Sequence, residues 1–269
     1  MSEKKIAFIG GTGVYYQSLL EEPHDRIVET RFGSALMRQG RYKGHTVYFI
    51  ARHGVSHAVP PHLVNYRANI TALRQLKVDA VIATAAVGTL RAEITPGSLV
   101  LIDQFIDWTK NRPLTFFDGT GGRVVHVDYT EPYCPAVRGA VLKAAAALGQ
   151  RLVDGGCYVC TEGPRFETPA EIKMIAQWGG DLVGMTNVPE VTLAREAGLC
   201  YATLALATNY AAGISENPLT HEEVLEEMAR GKAALEQLLM ASVEEISVEK
   251  RCRCAGAAGF WPWDEESES

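Results

Sequence analysis

Short apolar runs that alternate with amphipathic helical patterns constrain the fold of this chain more than any other feature. The apolar runs have the length of buried strands, and they lie at 6–9, 46–51, 80–83, 99–102, 156–161 and 200–207. Helical patterns lie at 61–76, 136–148, 170–178, 189–197 and about 220–243. Gly149 is expected to end the second of these helices, and Thr220 with Glu223 matches a capping box at the start of the last. Alternation of this kind predicts an α/β fold with a central mixed, largely parallel sheet flanked by helices.

The chain has 269 residues, which is enough for one large α/β domain or two small ones. We find no internal repeat and no domain boundary inside the patterned region. Only the Cys-containing, acidic C-terminal end differs in composition. We therefore predict one domain over 4–248 and a tail over 249–269.

The charge balance limits the partners of the chain. The net charge is −6 and the isoelectric point is near 5.7, so a general electrostatic attraction to nucleic acid or to an anionic membrane is not expected. No apolar run approaches the roughly 20 residues that a membrane span needs. The first apolar run, at 6–9, is too short for a secretory signal. We expect a cytoplasmic enzyme without nucleic-acid or membrane partners.

Six cysteines leave the metal and redox questions open. Cys157 and Cys160 have C-x-x-C spacing, and Cys252 and Cys254 form a C-x-C. Zinc prefers four ligands, and the spacing offers no clear grouping of four, so we predict no metal site while keeping zinc as the alternative. Cys157 and Cys160 fall in an apolar strand pattern, where free structural thiols are expected.

Candidate site residues follow several predicted strands. In parallel sheets, ligands bind beyond the carboxyl ends of the strands. Arg52 and His53 follow one strand and suit an oxyanion, Arg through its fixed fork of donors. A metal pair of His53 with His57 is the competing interpretation, although no carboxylate stands at ligand spacing. Other polar or small residues after predicted strands are Thr12, Ala86, Glu167, Met185, Thr186 and Asn209.

Three loops offer backbone groups or apolar surface to a ligand. The stretch 181–190 predicts a strand, a corner with Met185 and Thr186, and then a helix opened by Pro189 and Glu190. Free N–H groups at such a corner suit an anion, and Met185 suits a sugar or ring. The glycine-rich turn at 10–13 lacks the full G-x-G-x-x-G, so it is either a ligand-binding turn or a plain tight turn. We also predict a small-residue loop at 84–88 and a long functional or interface loop at 103–132.

Seven sequence blocks, in order, resemble the purine nucleoside phosphorylase superfamily. The similarity covers about 4–245 and is strongest with the trimeric branch that includes methylthioadenosine phosphorylases. The blocks are 9–13, 51–54, 64–69, 103–107, 162–166, 184–190 and 196–201. The resemblance implies a nucleoside phosphorylase-like domain in which inorganic phosphate, as co-substrate, attacks C1′ of a nucleoside and releases the free base. It implies no metal and no organic cofactor.

The family pattern implies a role for each candidate residue. It places phosphate against Thr12, Arg52, His53, Thr186 and the backbone around Ala86. It places Met185 beneath the sugar and Phe166 against the base. It assigns substrate contacts to Glu167, Asn209, Tyr210 and Ala211, and catalytic roles to Asn209 and His53. It also implies a homotrimer or a dimer of trimers, in which the segment 126–132 of a neighbour closes the sugar pocket. In some thermophilic relatives, positions resembling Cys134 and Cys200 are bridged.

Three positions favour 6-oxopurine nucleosides, inosine and guanosine, in purine salvage. Asn209 stands where the methylthioadenosine branch has an Asp, and an amide can donate to a 6-oxo group or to N7. Glu167 can accept from N1–H of a 6-oxopurine, which adenine lacks. His221 resembles the His that meets the 5′-hydroxyl. The plain alternatives are a turn-forming Asn209, a solvated Glu167 and a surface His221. The alternative activities are methylthioinosine or methylthioadenosine phosphorolysis, and nucleoside binding without turnover.

Overall fold

The computed structural model describes residues 3–11, 20–56, 58–119, 124–215, 220–249, 252–261 and 263, with His221 described by its backbone alone. The strands are β1 (Lys5–Gly10), β2 (Glu21–Thr30), β3 (Gly33–Tyr42), β4 (His45–Ala51), β5 (Ala80–Thr89), β6 (Leu99–Leu101), β7 (Gln104–Trp108), β8 (Leu152–Asp154), β9 (Cys157–Thr161), β10 (Leu182–Gly184) and β11 (Tyr201–Tyr210). The helices are α1 (Tyr66–Gln75), α2 (Pro135–Leu148), α3 (Pro169–Gln177), α4 (Glu190–Glu196) and α5 (His221–Glu245).

The strands form one mixed sheet, and β5 joins its parts. The first half of β5 pairs in parallel with β1, its last two residues pair antiparallel with β10, and β11 pairs in parallel along almost its whole length. Six of the ten pairings among the described residues are parallel. The predicted α/β fold with a mixed, largely parallel sheet is confirmed.

The apolar residues of the strands fill a core on each face of this sheet. Along β1, Ile6 and Phe8 belong to one buried cluster, whereas Ala7 and Ile9 belong to the other. Successive strand residues point to opposite faces, so β1 is covered on both sides. This explains why the strands appear in the sequence as continuous apolar runs and not as alternating ones.

The predicted loop at 84–88 is wrong, because β5 continues through it to Thr89. Alanine and glycine weaken the sequence signal of a strand. In the folded chain β11 and β10 supply hydrogen-bond partners that the local sequence does not reveal. The small side chains also suit a strand that is buried along almost its full length. Because β5 and β11 both extend further than predicted, Ala86 and Asn209 lie inside strands and not after them.

Several helix signals are confirmed. Helix α2 ends at Leu148, and Gly149 follows in the left-handed conformation with φ 65°. The Thr220 side chain caps α5 by accepting from Glu223 N–H. Helix α1, however, begins at Tyr66 and not near 61. Pro61–Leu63 form a separate 3-10 turn, and the side chain of Asn65 caps α1 by accepting from Ala68 N–H.

Other elements were not predicted. No apolar run in the sequence predicted the hairpin of β2 and β3 or the short strand β8. Strand β7 lies inside the segment 103–132, which was predicted to be a loop. The predicted tail boundary at 248/249 stays a prediction, although Cys254 and Trp261 of that segment are buried in the two cores. None of the helices in the described ranges is long and apolar enough to cross a membrane.

Candidate active site

A cavity of about 510 Å³ opens where β4, β5, β10 and β11 approach one another. Nine residues that the sequence analysis selected line it: Arg52, His53, Ala86, Phe166, Glu167, Met185, Thr186, Asn209 and Ala211. They come from five separate segments. The expected convergence of these side chains is therefore found, whereas the role of each side chain stays a prediction.

Arg52 supplies positive charge to the cavity. Its Nε and Nη2 donate to the two Glu190 carboxylate oxygens at 2.7 Å each, and Nη1 donates to the Thr84 carbonyl at 3.0 Å. Burial opposes the charged guanidinium, but Glu190 outweighs it, so the pKa of Arg52 is raised and the group stays charged. These bonds fix the guanidinium in one orientation beside the cavity.

The role of Glu190 was not predicted from the sequence, which marked it only as one of the two residues that open α4. In the structure it is fully buried, it pairs with Arg52, and it accepts a second hydrogen bond from Tyr201 Oη at 2.8 Å. The sequence signal that could have indicated this role is the position of Glu190 in the block 184–190, close to the predicted phosphate ligands.

His53 lies beside Arg52 with a defined orientation. Its Nδ1 is 2.8 Å from the Val59 carbonyl oxygen. A carbonyl oxygen only accepts, so Nδ1 carries the proton in this contact and Nε2 faces the Gly11 side. A Cβ built on Gly11 would lie 3.4 Å from Arg52 Nη1 and 4.0 Å from His53 Nε2. The absence of a side chain at Gly11 therefore keeps space open between the two basic groups.

The corner after β10 brings Met185 and Thr186 to the cavity, and the predicted order of strand, corner and helix is confirmed. Helix α4 begins at Glu190, and Pro189 is its N-cap residue. The Thr186 N–H donates to Tyr158 Oη at 3.2 Å, so this N–H is not free. The Thr186 hydroxyl is the polar group that this corner offers to a ligand.

Glu167 and Phe166 also line the cavity. Thr161 Oγ1 donates to Glu167 Oε1 at 2.6 Å. Burial raises the pKa of the Glu167 carboxyl, and the Thr161 hydrogen bond offsets part of that shift. The Phe166 ring is 38% exposed at the cavity.

Asn209 faces the cavity because of a β-bulge. Ala207 pairs with Val87 and Asn209 pairs with Gly88, so Thr208 is an extra residue without a partner in the ladder. Thr208 Oγ1 donates to Asn209 Oδ1 at 2.8 Å, and Asn209 Nδ2 donates to the Tyr210 carbonyl at 2.9 Å. An amide has two N–H groups and two oxygen lone pairs, so one of each is left for a ligand.

Three predicted residues do not take part in the described cavity. Thr12 lies outside the described residues. The side chain of His221 is not described, although Val224, one turn later in α5, lines the cavity. Tyr210 is not among the lining residues, and its hydroxyl is 3.5 Å from the Ala92 carbonyl. Lining residues that the sequence analysis missed include Val59, Val183, Thr208 and Val224.

The fold and the cavity together define an α/β protein whose small-molecule site combines basic side chains with a carboxylate and an amide. The chain belongs to the phosphorylase superfamily, whose sequence pattern matches residues 5–244. The predicted resemblance is thereby confirmed.

Individual relatives are similar over nearly the whole chain. One, named a probable 6-oxopurine nucleoside phosphorylase from Moorella thermoacetica, is 54% identical over 95% of this chain and 98% of its own length. Another, named a 6-oxopurine nucleoside phosphorylase from Pyrococcus furiosus, is 48% identical over 94% of this chain and 97% of its own. A solved structure of a methylthioadenosine phosphorylase from an antarctic soil metagenomic library has a TM-score of 0.88 and 35% identity, and covers 96% of this chain and 91% of its own.

Proposed function

We propose that this protein catalyses the phosphorolysis of 6-oxopurine nucleosides, inosine and guanosine, to the free base and ribose 1-phosphate. The observation that carries the proposal is that Glu167 and Asn209 line the same cavity as Arg52 and His53. The names of the relatives from Moorella and Pyrococcus support the same substrate class.

The basic side chains of the cavity bind and orient phosphate. The Arg52 guanidinium and His53 Nε2 face the same space beside Gly11, and the Thr186 hydroxyl lies in the same cavity. The guanidinium and the hydroxyl donate to phosphate oxygens, whereas His53 Nε2, with the ring proton on Nδ1, accepts from the O–H of a monohydrogen phosphate. Phosphate held there sits beneath the sugar with Met185. Its oxygen bonds to C1′ as the bond from C1′ to the purine nitrogen breaks, and the electron pair of that bond goes to the purine. The phosphate charge stabilises the oxocarbenium-like transition state through which the sugar passes.

The carboxylate and the amide recognise the departing base. The ionised Glu167 carboxylate accepts the N1–H of a 6-oxopurine, and the free N–H of Asn209 donates to N7 or to the 6-oxo oxygen. Negative charge develops on the purine as the bond breaks, so a donor at N7 or O6 is most useful in the transition state. Adenine has no N1–H, and it would leave the half-buried Glu167 without a donor.

The proposed assembly is a homotrimer or a dimer of trimers that works in purine salvage in the cytoplasm with phosphate as its only co-substrate. Val55 and Leu63, on either side of the cavity-lining segment 58–61, are 65% and 66% exposed. Apolar side chains at the rim of a substrate cavity suit coverage by a neighbouring subunit. Light scattering after size-exclusion chromatography tests this part, and a monomer would contradict it.

The second candidate activity is phosphorolysis of a 5′-methylthio nucleoside. It is supported by the structural similarity to a methylthioadenosine phosphorylase. The two activities differ at the 5′ position of the sugar, where we place His221. Exchange of His221 for Val should raise the relative turnover of methylthio substrates, since an apolar residue suits a thioether better than a hydroxyl.

The deciding experiment measures base release from inosine, guanosine, adenosine and methylthioadenosine, with and without phosphate, for the wild type and Asn209→Asp. We expect phosphate-dependent turnover of inosine and guanosine only, and a gain of 6-aminopurine turnover in the variant. Strong wild-type turnover of methylthioadenosine would move the protein to the second activity. Release without phosphate would make it a nucleosidase, and binding without release a nucleoside-binding protein.

A further inference from the structure

Four cysteines from distant parts of the sequence meet in one cluster outside the cavity. The sulfur atoms of Cys134, Cys200, Cys252 and Cys254 all lie within 4.8 Å of one another. The sulfur atoms of Cys200 and Cys252 are 3.4 Å apart. All six cysteines of the chain are free thiols in the structure.

Two of these cysteines are held by the body of the domain. Cys134 is the N-cap residue of α2, and its N–H donates to the Tyr201 carbonyl at 2.8 Å. The Cys200 carbonyl, just before β11, accepts from Val81 N–H at 2.8 Å. Their backbones are therefore fixed by hydrogen bonds with sheet residues and do not depend on the tail for their position.

The other two cysteines come from the C-terminal segment, which lies directly against the body. A Cβ built on Gly198, whose φ is +69°, would be 3.1 Å from the Ala255 carbonyl oxygen. This close approach brings Cys252 and Cys254 to the two fixed cysteines. Three of the four sulfur-bearing residues are buried, and Cys252 is half-buried.

The surroundings of the cluster suit negatively charged sulfur. Arg195 is buried, and its Nη1 is 3.6 Å from Cys254 Sγ. A guanidinium donates to a thiolate and balances its charge. Four thiolates around a divalent cation carry a net charge of −2, so a buried cation beside them lowers the electrostatic cost of the site.

We propose that Cys134, Cys200, Cys252 and Cys254 bind one Zn²⁺ ion that fastens the C-terminal segment to the body of the domain. Zinc bound by four thiolates is tetrahedral with Zn–S distances of about 2.3 Å, which places the sulfurs about 3.8 Å apart. The observed separations bracket that value. Each thiol releases a proton to solvent when the metal binds, and no electron is transferred.

The zinc site would also stabilise a larger aromatic cluster. Beyond Cys254 the chain reaches Trp261 and Trp263, whose rings contact the Phe116 ring at centroid distances of 4.9 and 5.7 Å. Phe116 N–H in turn donates to Glu196 of α4 at 2.7 Å. Loss of the metal should therefore increase hydrogen exchange first in 252–261 and then in the segment around Phe116.

The sequence analysis missed this grouping because its ligands come from three separated segments. The pattern showed one C-x-C and two single cysteines, and no spacing rule joins them. The resemblance to thermophilic relatives suggested a bridge between Cys134 and Cys200 instead. A disulfide and a thiolate metal site make opposite predictions for the oxidation state of the four sulfurs, so the two are easily separated.

The test measures metal content and thiol state in the full chain purified without chelators under anaerobic conditions. We expect about one Zn²⁺ per chain in the wild type and in Cys157→Ser, whose cysteine lies outside the cluster. We expect a loss of at least about tenfold in metal content in the double variant Cys252→Ser/Cys254→Ser. Wild-type protein that fails to hold stoichiometric metal after incubation with Zn²⁺ overturns the proposal.

A measurement on the wild type alone covers the case in which the variants do not fold. In one sample, after removal of the metal and unfolding without reductant, alkylation should label all six cysteines. In a second, folded sample, replacement of the metal with Co²⁺ should give the visible absorption of tetrahedral cobalt thiolates. Labelling of only four or two cysteines would show disulfides and contradict the metal site.

Discussion

Arg52 and Glu190 form a fully buried ion pair with two hydrogen bonds, although 138 positions separate them in the sequence. Their side chains are 1% and 0% exposed. The pair has an orienting role, because the guanidinium that faces the proposed phosphate site is held by the carboxylate behind it. Neither residue can be removed without leaving the other charge buried.

We predict that Glu190→Gln destabilises the protein and weakens phosphate binding. Removal of one partner from a buried ion pair costs about 3–5 kcal/mol, and the loosened Arg52 should raise the phosphate KM. Denaturant unfolding at one protein concentration and phosphate-dependent kinetics measure the two effects. Glu93→Gln is the matched control, because its pair with Arg91 is exposed and such a change costs about 0.5 kcal/mol or less. Equal behaviour of the two variants would contradict the role of Glu190.

We predict that Thr208→Val lowers turnover with little effect on stability, whereas Thr208→Ser does not. The Thr208 hydroxyl orients the Asn209 amide through a 2.8 Å hydrogen bond. Loss of one such bond is worth about 0.5–1.5 kcal/mol, and thus up to about tenfold in kcat/KM for inosine. Serine keeps the hydroxyl and should keep the activity. Wild-type kinetics in the Val variant would show that the bulge alone orients Asn209.

We predict that the KM for inosine rises at low pH, and that this acid limb of the pH profile reports the protonation of Glu167. Burial raises the pKa of this carboxyl, and only the ionised form is a full acceptor for N1–H. As the pH falls through that raised pKa, Glu167 becomes protonated and the KM rises. The Thr161 hydrogen bond favours the ionised form, so its loss in Thr161→Val should raise the pKa further and move the limb to higher pH.

The controls for this pH prediction are Glu167→Gln and Thr161→Ser. The first removes the titrating group, so its KM should be high and free of the acid limb. The second keeps the hydroxyl, so its limb should stay at the wild-type position. An unchanged limb in Glu167→Gln would assign the titration to another group.

We predict that Gly163→Ala impairs nucleoside turnover through Met185. Gly163 has φ +64°, and a Cβ there would lie 2.5 Å from Met185 Sδ, so the thioether beneath the proposed sugar position must move. Displacement of a positioning group by about 1 Å can lower turnover strongly, and we expect at least about tenfold in kcat/KM.

Gly119→Ala is the matched control for Gly163→Ala. Its φ is +87°, and a Cβ there meets no atom of the described residues within 4 Å, so the backbone strain is similar but no described neighbour is displaced. Its kcat/KM should stay close to that of the wild type. A comparable loss of activity in both variants would attribute the effect to strain alone.

The sequence by itself determined the local structure and the family of this protein. Apolar runs located β1, β4 and β9, and the capping residues Thr220 and Gly149 located two helix ends. The ordered sequence blocks identified the family, and the family pattern together with the predicted strand ends selected nine residues that line one cavity. These features depend on neighbouring residues or on residue identity, so they can be predicted from the sequence without knowledge of the tertiary contacts.

Only the tertiary structure decided which distant segments meet. The extension of β5, the bulge that turns Asn209, the Arg52–Glu190 pair and the four-cysteine cluster all depend on contacts between segments far apart in the sequence. Local periodicity reports conformation and burial, but it carries no information about which strand supplies the next ladder of hydrogen bonds or which carboxylate neutralises a buried guanidinium. Those partners are selected by the packing of the whole chain, because buried polar groups need partners that water can no longer supply.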